Sequence, residues 1–212
     1  PGASNGNKNV SFQISKVISC IRRDAFPSVR RSSCSDTRSR QREQIVTASI
    51  ESDNHADTWC FGPNFVMDSF TGQTCSVSGY DKKINNNEVR IGTGLTIWTD
   101  PTSGKLHLLQ VNQGLDMRNI IDHTLANPNQ CRSFGVSWCD DAWDKNRLLG
   151  IHLEDPELLI PFKMNNCFAE FITRTPTEDE IRDLFDDRIE LTDHNTWDPV
   201  NLSVPRTVSA TI

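Results

Sequence analysis

From Gln44 onward the chain consists of short segments in which apolar and polar residues alternate, separated by turn residues. Alternation with a period of two places apolar side chains on one face of a strand, so this texture indicates half-buried β-strands. The run QIVTASIES (residues 44–52) is the first such segment, and NFVMDSFTG and QTCSVSGYD follow it. Thr71-Gly72 is the predicted turn between these last two runs.

The next segments continue the β pattern. Gly92 and Gly94 lie inside the run EVRIGTGLTIWTD, where glycine indicates a bulge or a close backbone approach. The turn sequence Asp100–Gly104 joins this run to KLHLLQV and predicts a hairpin over residues 88–111. Further strands are expected around two later turns, at Asp155-Pro156 and at Asn165-Asn166.

Two short helices interrupt the strands. Asn127 is a good N-cap, Pro128 suits a first helical turn, and Gly135 can end the helix. The second helix should begin at a capping box, Thr175–Glu178, with Pro176 as its first residue. The predicted fold class is therefore all-β, meaning mainly β with two short helices.

Charge divides the chain into a basic head and an acidic body. Residues 1–49 hold nine Lys/Arg and three Asp/Glu, a net charge of +6, whereas the remainder sums to −12. We expect residues 1–43 to be a disordered basic linker, because few apolar residues anchor them. Residues 21–42, rich in Arg and Ser, favour a solvated linker over a nucleic-acid-binding arm; a weak contact with phosphates is the second interpretation.

Composition narrows the cellular setting. No run of about 18 apolar residues is present, so no membrane span is predicted. The first residues lack a starting Met and a signal-peptide core, and we expect a piece of a longer polypeptide. Seven cysteines, an odd number without CxxC spacing, favour reduced thiols in the cytoplasm over disulfides or a zinc finger.

One segment, Ile50–Gly62, concentrates groups that carry chemistry. If Asp53, His55 and Asp57 alternate along a strand, they share one face. A metal-binding hydrolase site is then one hypothesis, a Cys60–His55 nucleophilic pair is another, and an ordinary loop is the third. The histidines that could complete a metal site are His107, His123 and His152.

Two motifs in order resemble the retropepsin-type aspartic protease of copia-type retrotransposon polyproteins. The first is DNHADT, which begins at Asp53 and follows an apolar strand, as the Asp-Ser/Thr-Gly-Ala loop does in that family. The second is HTLANPNQCRSFG, which resembles the family's closing segment His-Asn-Leu-Leu-Ser-x-x-Gln-Leu-x-x-x-Gly. The matching positions of this second motif are His123, Leu125, Gln130 and Gly135.

The resemblance implies a fold, an activity and a partner. Residues 44–137 would be a retropepsin-like domain, a closed β-barrel-type half that dimerises, and residues 138–212 a β-hairpin, short helix and tail that extend it or act as a spacer. Asp53 would be the catalytic residue of an aspartic endopeptidase that needs no cofactor or metal. Its partners would be a second copy, forming a homodimer, and polyprotein peptides cleaved inside an intracellular virus-like particle.

The resemblance also assigns loops. The active-site loop comprises Asn54, His55, Ala56, Asp57 and Thr58, for the last two of which we expect backbone hydrogen bonds within the loop. By order in the chain, the hairpin around residues 80–87 would be a flap, with Gly79 as hinge and Tyr80 and Asp81 next to it.

Two departures from the family pattern favour an alternative. Asn54 replaces a Ser or Thr whose hydroxyl ties the two active-site loops together, and an amide is bulkier and aimed differently. His55 stands where most retropepsins have Gly, which allows a tighter backbone approach. The alternative is a catalytically inactive segment with a structural or interaction role.

Overall fold

The computed structural model describes residues 10–13, 44–78 and 85–199. Within these ranges the chain is mainly β, as the alternating pattern predicts. The strands found there are β1 (Val10–Gln13), β2 (Thr47–Ser52), β3 (Cys60–Phe61), β4 (Val66–Ser78), β5 (Asn85–Thr99), β6 (Leu106–Asp116), β7 (Thr124–Ala126), β8 (Ser137–Cys139), β9 (Gly150–Glu154), β10 (Glu157–Pro161), β11 (Lys163–Asn165), β12 (Phe168–Arg174) and β13 (Ile189–Glu190). The helices are α1 (Pro128–Ser133) and α2 (Glu178–Leu184).

Six of the strands close into a ring. From β5 the hydrogen-bonded order runs through β12, β2, β7, β3 and β6, and β6 pairs with β5 again. β12 runs antiparallel to β2 and meets β5 at the pair Arg174 and Ile97. Because β12 completes the ring, residues on both sides of position 137 belong to one sheet. The strands β8, β9 and β10 form a separate three-stranded sheet.

Most of the predicted basic linker, residues 1–43, lies outside the described residues. The part that is described, β1, pairs in parallel with residues 75–78 of β4. Residues 21–42, and with them the predicted nucleic-acid contact, lie outside it, as do residues 200–212 at the end of the predicted tail.

Aromatic side chains pack between the six-stranded ring and the three-stranded sheet. Trp138 of β8 lies edge-on to Trp59, with ring centroids 6.1 Å apart, and 4.9 Å from the ring of Phe162. Phe162 in turn stacks on Phe171 of β12 at 5.3 Å. All four side chains are buried. Burial of this much aromatic surface is a large favourable term, so this cluster holds the smaller sheet in place.

A second aromatic contact explains Gly94 of β5 and Gly114 of β6, and Gly92 approaches the Ser69 carbonyl of β4. Gly92 and Gly114 lie opposite each other, and the pairing shifts register between Gly92 and Gly94. A Cβ on Gly114 would lie 2.2 Å from Cζ of Phe61, and one on Gly94 would lie 3.0 Å from the same ring. Phe61 stacks on Phe65 with centroids 4.7 Å apart. The predicted bulge and close approach are both confirmed.

The predicted turn at Thr71-Gly72 is wrong, because β4 continues through it. Its pairing with β5 loses register around this point, where Gly72 has a φ of 78°. The Thr71 hydroxyl donates to the Ile91 carbonyl of β5 at 3.1 Å and keeps the two strands together. A glycine with positive φ serves in a β-bulge as well as in a turn, so its presence alone does not separate the two.

Helix α1 begins and ends as predicted. The Asn127 side chain accepts a hydrogen bond from the backbone N–H of Asn129 at 2.8 Å, and Pro128 is the first helical residue. Gly135, with a φ of 91°, supplies the left-handed conformation that follows the helix. Neither α1 nor α2, the helices in the described part of the chain, is long and apolar enough to cross a lipid bilayer.

Helix α2 begins two residues later than predicted. Its capping box joins Thr177 and Glu180, whose side chains accept from each other's backbone N–H at 3.2 and 2.9 Å. The predicted capping box of Thr175 and Glu178 is wrong, because Thr175 exchanges two hydrogen bonds of 2.9 Å with Val46. These bonds continue the pairing of β12 with β2, so Thr175 does not cap the helix. Both pairs satisfy the Thr-x-x-Glu pattern, and the strand pairing selects between them.

We expect Gly114→Ala to destabilise the fold by about 3 kcal/mol, because the added methyl group would overlap the buried ring of Phe61. Gly104→Ala is the control, because it adds the same methyl group where nothing lies within 4 Å of a Cβ. The φ of Gly104 is 72°, which is unfavourable for alanine. Backbone strain alone should cost that variant about 1 kcal/mol. Urea denaturation measures both, and equal losses would contradict the assigned contact with Phe61.

Candidate active site

Asp53 follows the last residue of β2, at the point where β2 ends beside the parallel strand β7. Its backbone N–H donates to the Ala126 carbonyl at 2.9 Å, which continues the pairing by one residue. Since neighbouring parallel strands end at the same edge of a sheet, Asp53 and the Asn127 cap of α1 emerge side by side. The position of Asp53 is thus determined by the sheet itself.

The Asp53 carboxylate is held by its own loop. Its Oδ1 accepts the backbone N–H of His55 at 2.8 Å, and the His55 ring nitrogen Nδ1 lies 3.6 Å from the same oxygen. The side chain of Asp53 is 17% exposed and that of His55 is 58% exposed. Asn54 is also exposed. The carboxylate is therefore oriented and accessible, whereas the two residues after it face solvent.

Residues 53–58 form a turn and not a strand, because β2 ends at Ser52. The alternation that would place Asp53, His55 and Asp57 on one face therefore does not occur. In the described residues, no group of three or more His, Cys, Asp and Glu side chains could hold a metal ion.

The three histidines considered as further metal ligands have separate surroundings. His107 lies against the Trp98 ring with centroids 5.5 Å apart. His123 lies beside Asp122 and Glu51, and His152 makes a 2.7 Å hydrogen bond with the Leu148 carbonyl.

The second half of the loop is anchored in the protein interior. Ala56 is buried and packs with Cys60 and its apolar neighbours. The Asp57 carbonyl accepts the indole N–H of Trp197 at 2.8 Å. The Thr58 hydroxyl lies 3.0 Å from both the Gln113 carbonyl and the Gln130 side-chain oxygen. The expectation that Thr58 bonds within its own loop is wrong, because its hydroxyl reaches β6 and α1.

Gln130 of α1 binds the loop to β6. Its side-chain oxygen accepts the backbone N–H of Trp59 at 3.1 Å, beside the Thr58 hydroxyl. Its side-chain nitrogen donates to the carbonyls of Asn112 and Gln113 at 3.1 and 3.3 Å. The residue is buried, so these bonds form without competition from water. Gln130 belongs to the second sequence motif, but its spacing in that motif did not reveal this role.

A second network reaches Asp53 from the other side. Ser52 donates to Asp140 Oδ2 at 3.0 Å and accepts the indole N–H of Trp138 at 3.1 Å. Arg132 of α1 donates to Asp140 Oδ1 at 2.9 Å and to the Trp138 carbonyl at 3.1 Å. Sequence reasoning missed this network, because its members are separated by up to 88 positions and share no motif.

The thiol of Cys60 is unsuited to nucleophilic chemistry. The side chain is fully buried, and burial, followed by the nearby charge of Asp53, raises its pKa well above the usual range. A nucleophilic cysteine needs an accessible thiolate, which a low pKa provides. The hypothesis of a Cys60–His55 pair is therefore wrong.

The predicted flap residues Gly79, Tyr80 and Asp81 lie outside the described residues. The two strands that lead to them are described: β4 and β5 remain paired as far as Ser78 and Asn85.

Comparison of the chain with protein-family models, with curated proteins and with solved structures finds no match.

Removing the Gln130 amide should destabilise the protein by about 2–4 kcal/mol. Gln130→Met keeps a similar length but leaves the buried backbone N–H of Trp59 without its acceptor. It also removes one of the two donors to each of the Asn112 and Gln113 carbonyls. The matched control is Gln73→Met, the same chemical change at a partly exposed position of β4. Thermal and urea unfolding measure the difference, and similar stabilities for the two variants would refute the bracing role of Gln130.

Proposed function

We propose that this chain is a retropepsin-like aspartic endopeptidase from a copia-type retrotransposon polyprotein, with Asp53 as its catalytic residue. The observation that carries the proposal is the setting of Asp53: a partly exposed carboxylate at the end of a strand, in a turn braced on both sides. The order of the surrounding elements also agrees with the resemblance. A polar turn after a strand, a long hairpin and a short helix followed by Gly135 come in the chain order from which the resemblance was drawn, and this order supports the proposal.

In the proposed mechanism a homodimer brings together two Asp53 carboxylates, one from each copy. Two carboxylates about 3 Å apart cannot both be ionised, so they share one proton. The ionised group takes a proton from a bound water molecule, and the protonated group donates a hydrogen bond to the carbonyl of the peptide to be cleaved. The pair titrates as a unit, so its pKa values belong to both copies together.

The bracing of the loop suits this chemistry. Attack by water requires a carboxylate held within a fraction of an ångström, and a loop that moved would lose that geometry. Gln130 holds one end of the loop through Thr58 and Trp59, and Ser52 is held at the other end by Asp140 and Trp138. The His55 N–H gives the carboxylate one fixed orientation between these two supports.

The proposed substrate is an extended segment of the polyprotein itself. An extended peptide pairs with β-strands through its backbone, and alternate side chains then enter pockets. The proposed flap, residues 79–87, would cover such a peptide and exclude water. Cleavage would take place inside an assembling particle within the cell.

The alternative, an inactive segment that keeps only a structural role, is favoured by one observation. Asn54, the residue after Asp53, is exposed and carries no hydroxyl. If the hydroxyl of Ser or Thr at this place joins the two loops of the dimer, its absence weakens that junction. The two candidate functions differ in a peptidase assay.

The full chain at high concentration should cleave peptides that span junctions of its own polyprotein, and Asp53→Asn should abolish cleavage. Loss of the carboxylate removes the group that activates water, so a drop of at least about a thousandfold is expected. Pepstatin should inhibit the wild-type chain. Asp68→Asn is the control, because Asp68 is an exposed aspartate of β4. Undiminished cleavage by Asp53→Asn would eliminate the proposed mechanism.

Asn54→Thr should increase the activity of the dimer. Restoring one hydroxyl per copy adds hydrogen bonds across the junction, each worth about 1 kcal/mol, or a factor of about five. Cleavage rates measured against protein concentration separate tighter association from faster chemistry. Asn54→Ala has neither the amide of Asn nor the hydroxyl of Thr, and its cleavage rate should not increase. An equal rate for the Thr and Ala variants would show that the hydroxyl has no role.

A further inference from the structure

We propose that the loop of residues 141–148 is a docking surface for a second copy of this chain, with Trp143 as its main contact. The inference rests on the proposed function, in which an active site with one Asp53 per copy is incomplete without the partner. The surface concerned, here called the β8 surface, consists of Phe134, Trp143 and Leu148.

The β8 surface consists of three exposed apolar side chains that flank one short strand in the chain. Phe134 lies three residues before β8 and is 39% exposed, whereas Trp143 and Leu148 follow it and are 81% and 67% exposed. The Arg147 guanidinium lies 3.4 Å from the Ser137 hydroxyl and brings the end of the loop back to the start of β8. Trp143 is the most exposed of the three, and tryptophan is among the residues enriched at the centres of protein interfaces.

The position of this surface relative to Asp53 identifies the occupant. Asp140, the first residue after β8, accepts a hydrogen bond from Ser52, which directly precedes Asp53. Trp143 is three residues further, so its Cα lies within about 11 Å of the Cα of Asp140. A stable interface covers about 800 Å² on each partner, a patch of about 16 Å radius, which is much wider than the Asp53 loop alone. Two copies that join their Asp53 loops need further contact area, and the β8 surface is the nearby apolar area.

The loop is already shaped for contact before a partner binds. The backbone N–H of Trp143 donates to Asp141 Oδ1 at 2.8 Å, and the backbone N–H of Asn146 donates to Asp144 Oδ1 at the same distance. Arg147 adds a 3.3 Å ion pair with Asp144. A preorganised loop loses little conformational entropy on association, which favours binding.

The charge of the loop suits association with an identical loop. Residues 141–148 contain two Asp, one Lys and one Arg, a net charge of zero, whereas the whole chain carries −6. In a two-fold dimer the same patch faces itself, so a patch with net charge would repel its copy. A neutral loop with an apolar centre avoids this repulsion.

Sedimentation equilibrium of the full chain over a range of concentrations tests the inference. We expect a dimer whose dissociation constant rises roughly thirtyfold in Trp143→Ser, the effect of removing a central interface tryptophan. The control is Ile172→Ser: Ile172 is 52% exposed and lies on the face of β12 opposite Phe171, whose ring lies 6.5 Å from that of Trp138. Circular dichroism verifies that each variant is folded.

The outcomes separate this inference from the proposed function. A wild-type chain that stays monomeric, or a Trp143→Ser dimer as strong as wild type, would overturn the docking surface. A dimer that Trp143→Ser dissociates but that cleaves no peptide would refute the protease and leave the docking surface standing. If both hold, Trp143→Ser should lose activity at low concentration and regain it at high concentration, which Asp53→Asn does not.

Discussion

The arrangement around Asp53 depends on one buried side-chain amide. Gln130 offers an acceptor to the loop and a donor to β6, so a single group joins three segments that are distant in sequence. Its own position follows from the capping of α1 by Asn127 and from the end of β7, which places the helix beside the loop. An apolar residue could fill the same volume, but it would leave the backbone N–H of Trp59 without the acceptor that Gln130 provides. The loop, the helix and β6 therefore form one unit.

Local rules predicted the features that local physics decides. The cap and end of α1 and the hairpin of β5 and β6 each follow from a few neighbouring residues. The same rules failed where two local solutions were equally good. Thr175 and Thr177 both offer a capping box, and Gly72 suits a turn and a bulge alike. For Thr175 the choice was made by its hydrogen bonds with Val46, 129 positions away, and for Gly72 by the pairing of β4 with β5.

The sequence predicted the candidate site only in part. The run around Asp53 indicated that a strand ends in a polar turn at this residue, because that is a local pattern. The support given by Ser52, Asp140 and Arg132 has no local signal, since it joins the end of β2 to a strand and a helix about 80 positions later. The pairing of β12 with β2 has the same long-range character. Such contacts become visible only when the chain is folded.

The place of β12 between β5 and β2 has a consequence for biosynthesis. A ribosome releases the chain from its N-terminal end, so the segment with Asp53 emerges more than a hundred residues before Arg174, which completes the ring. Until then β2 lacks its neighbour on that side, and the strand that carries the catalytic candidate has an open edge. A cut between residues 137 and 168 would also break the covalent link between β12 and the other five strands of the ring. Cleavage of the backbone in that stretch would therefore leave closure of the ring to non-covalent contacts alone, and closure cannot take place before residue 174 has been synthesised.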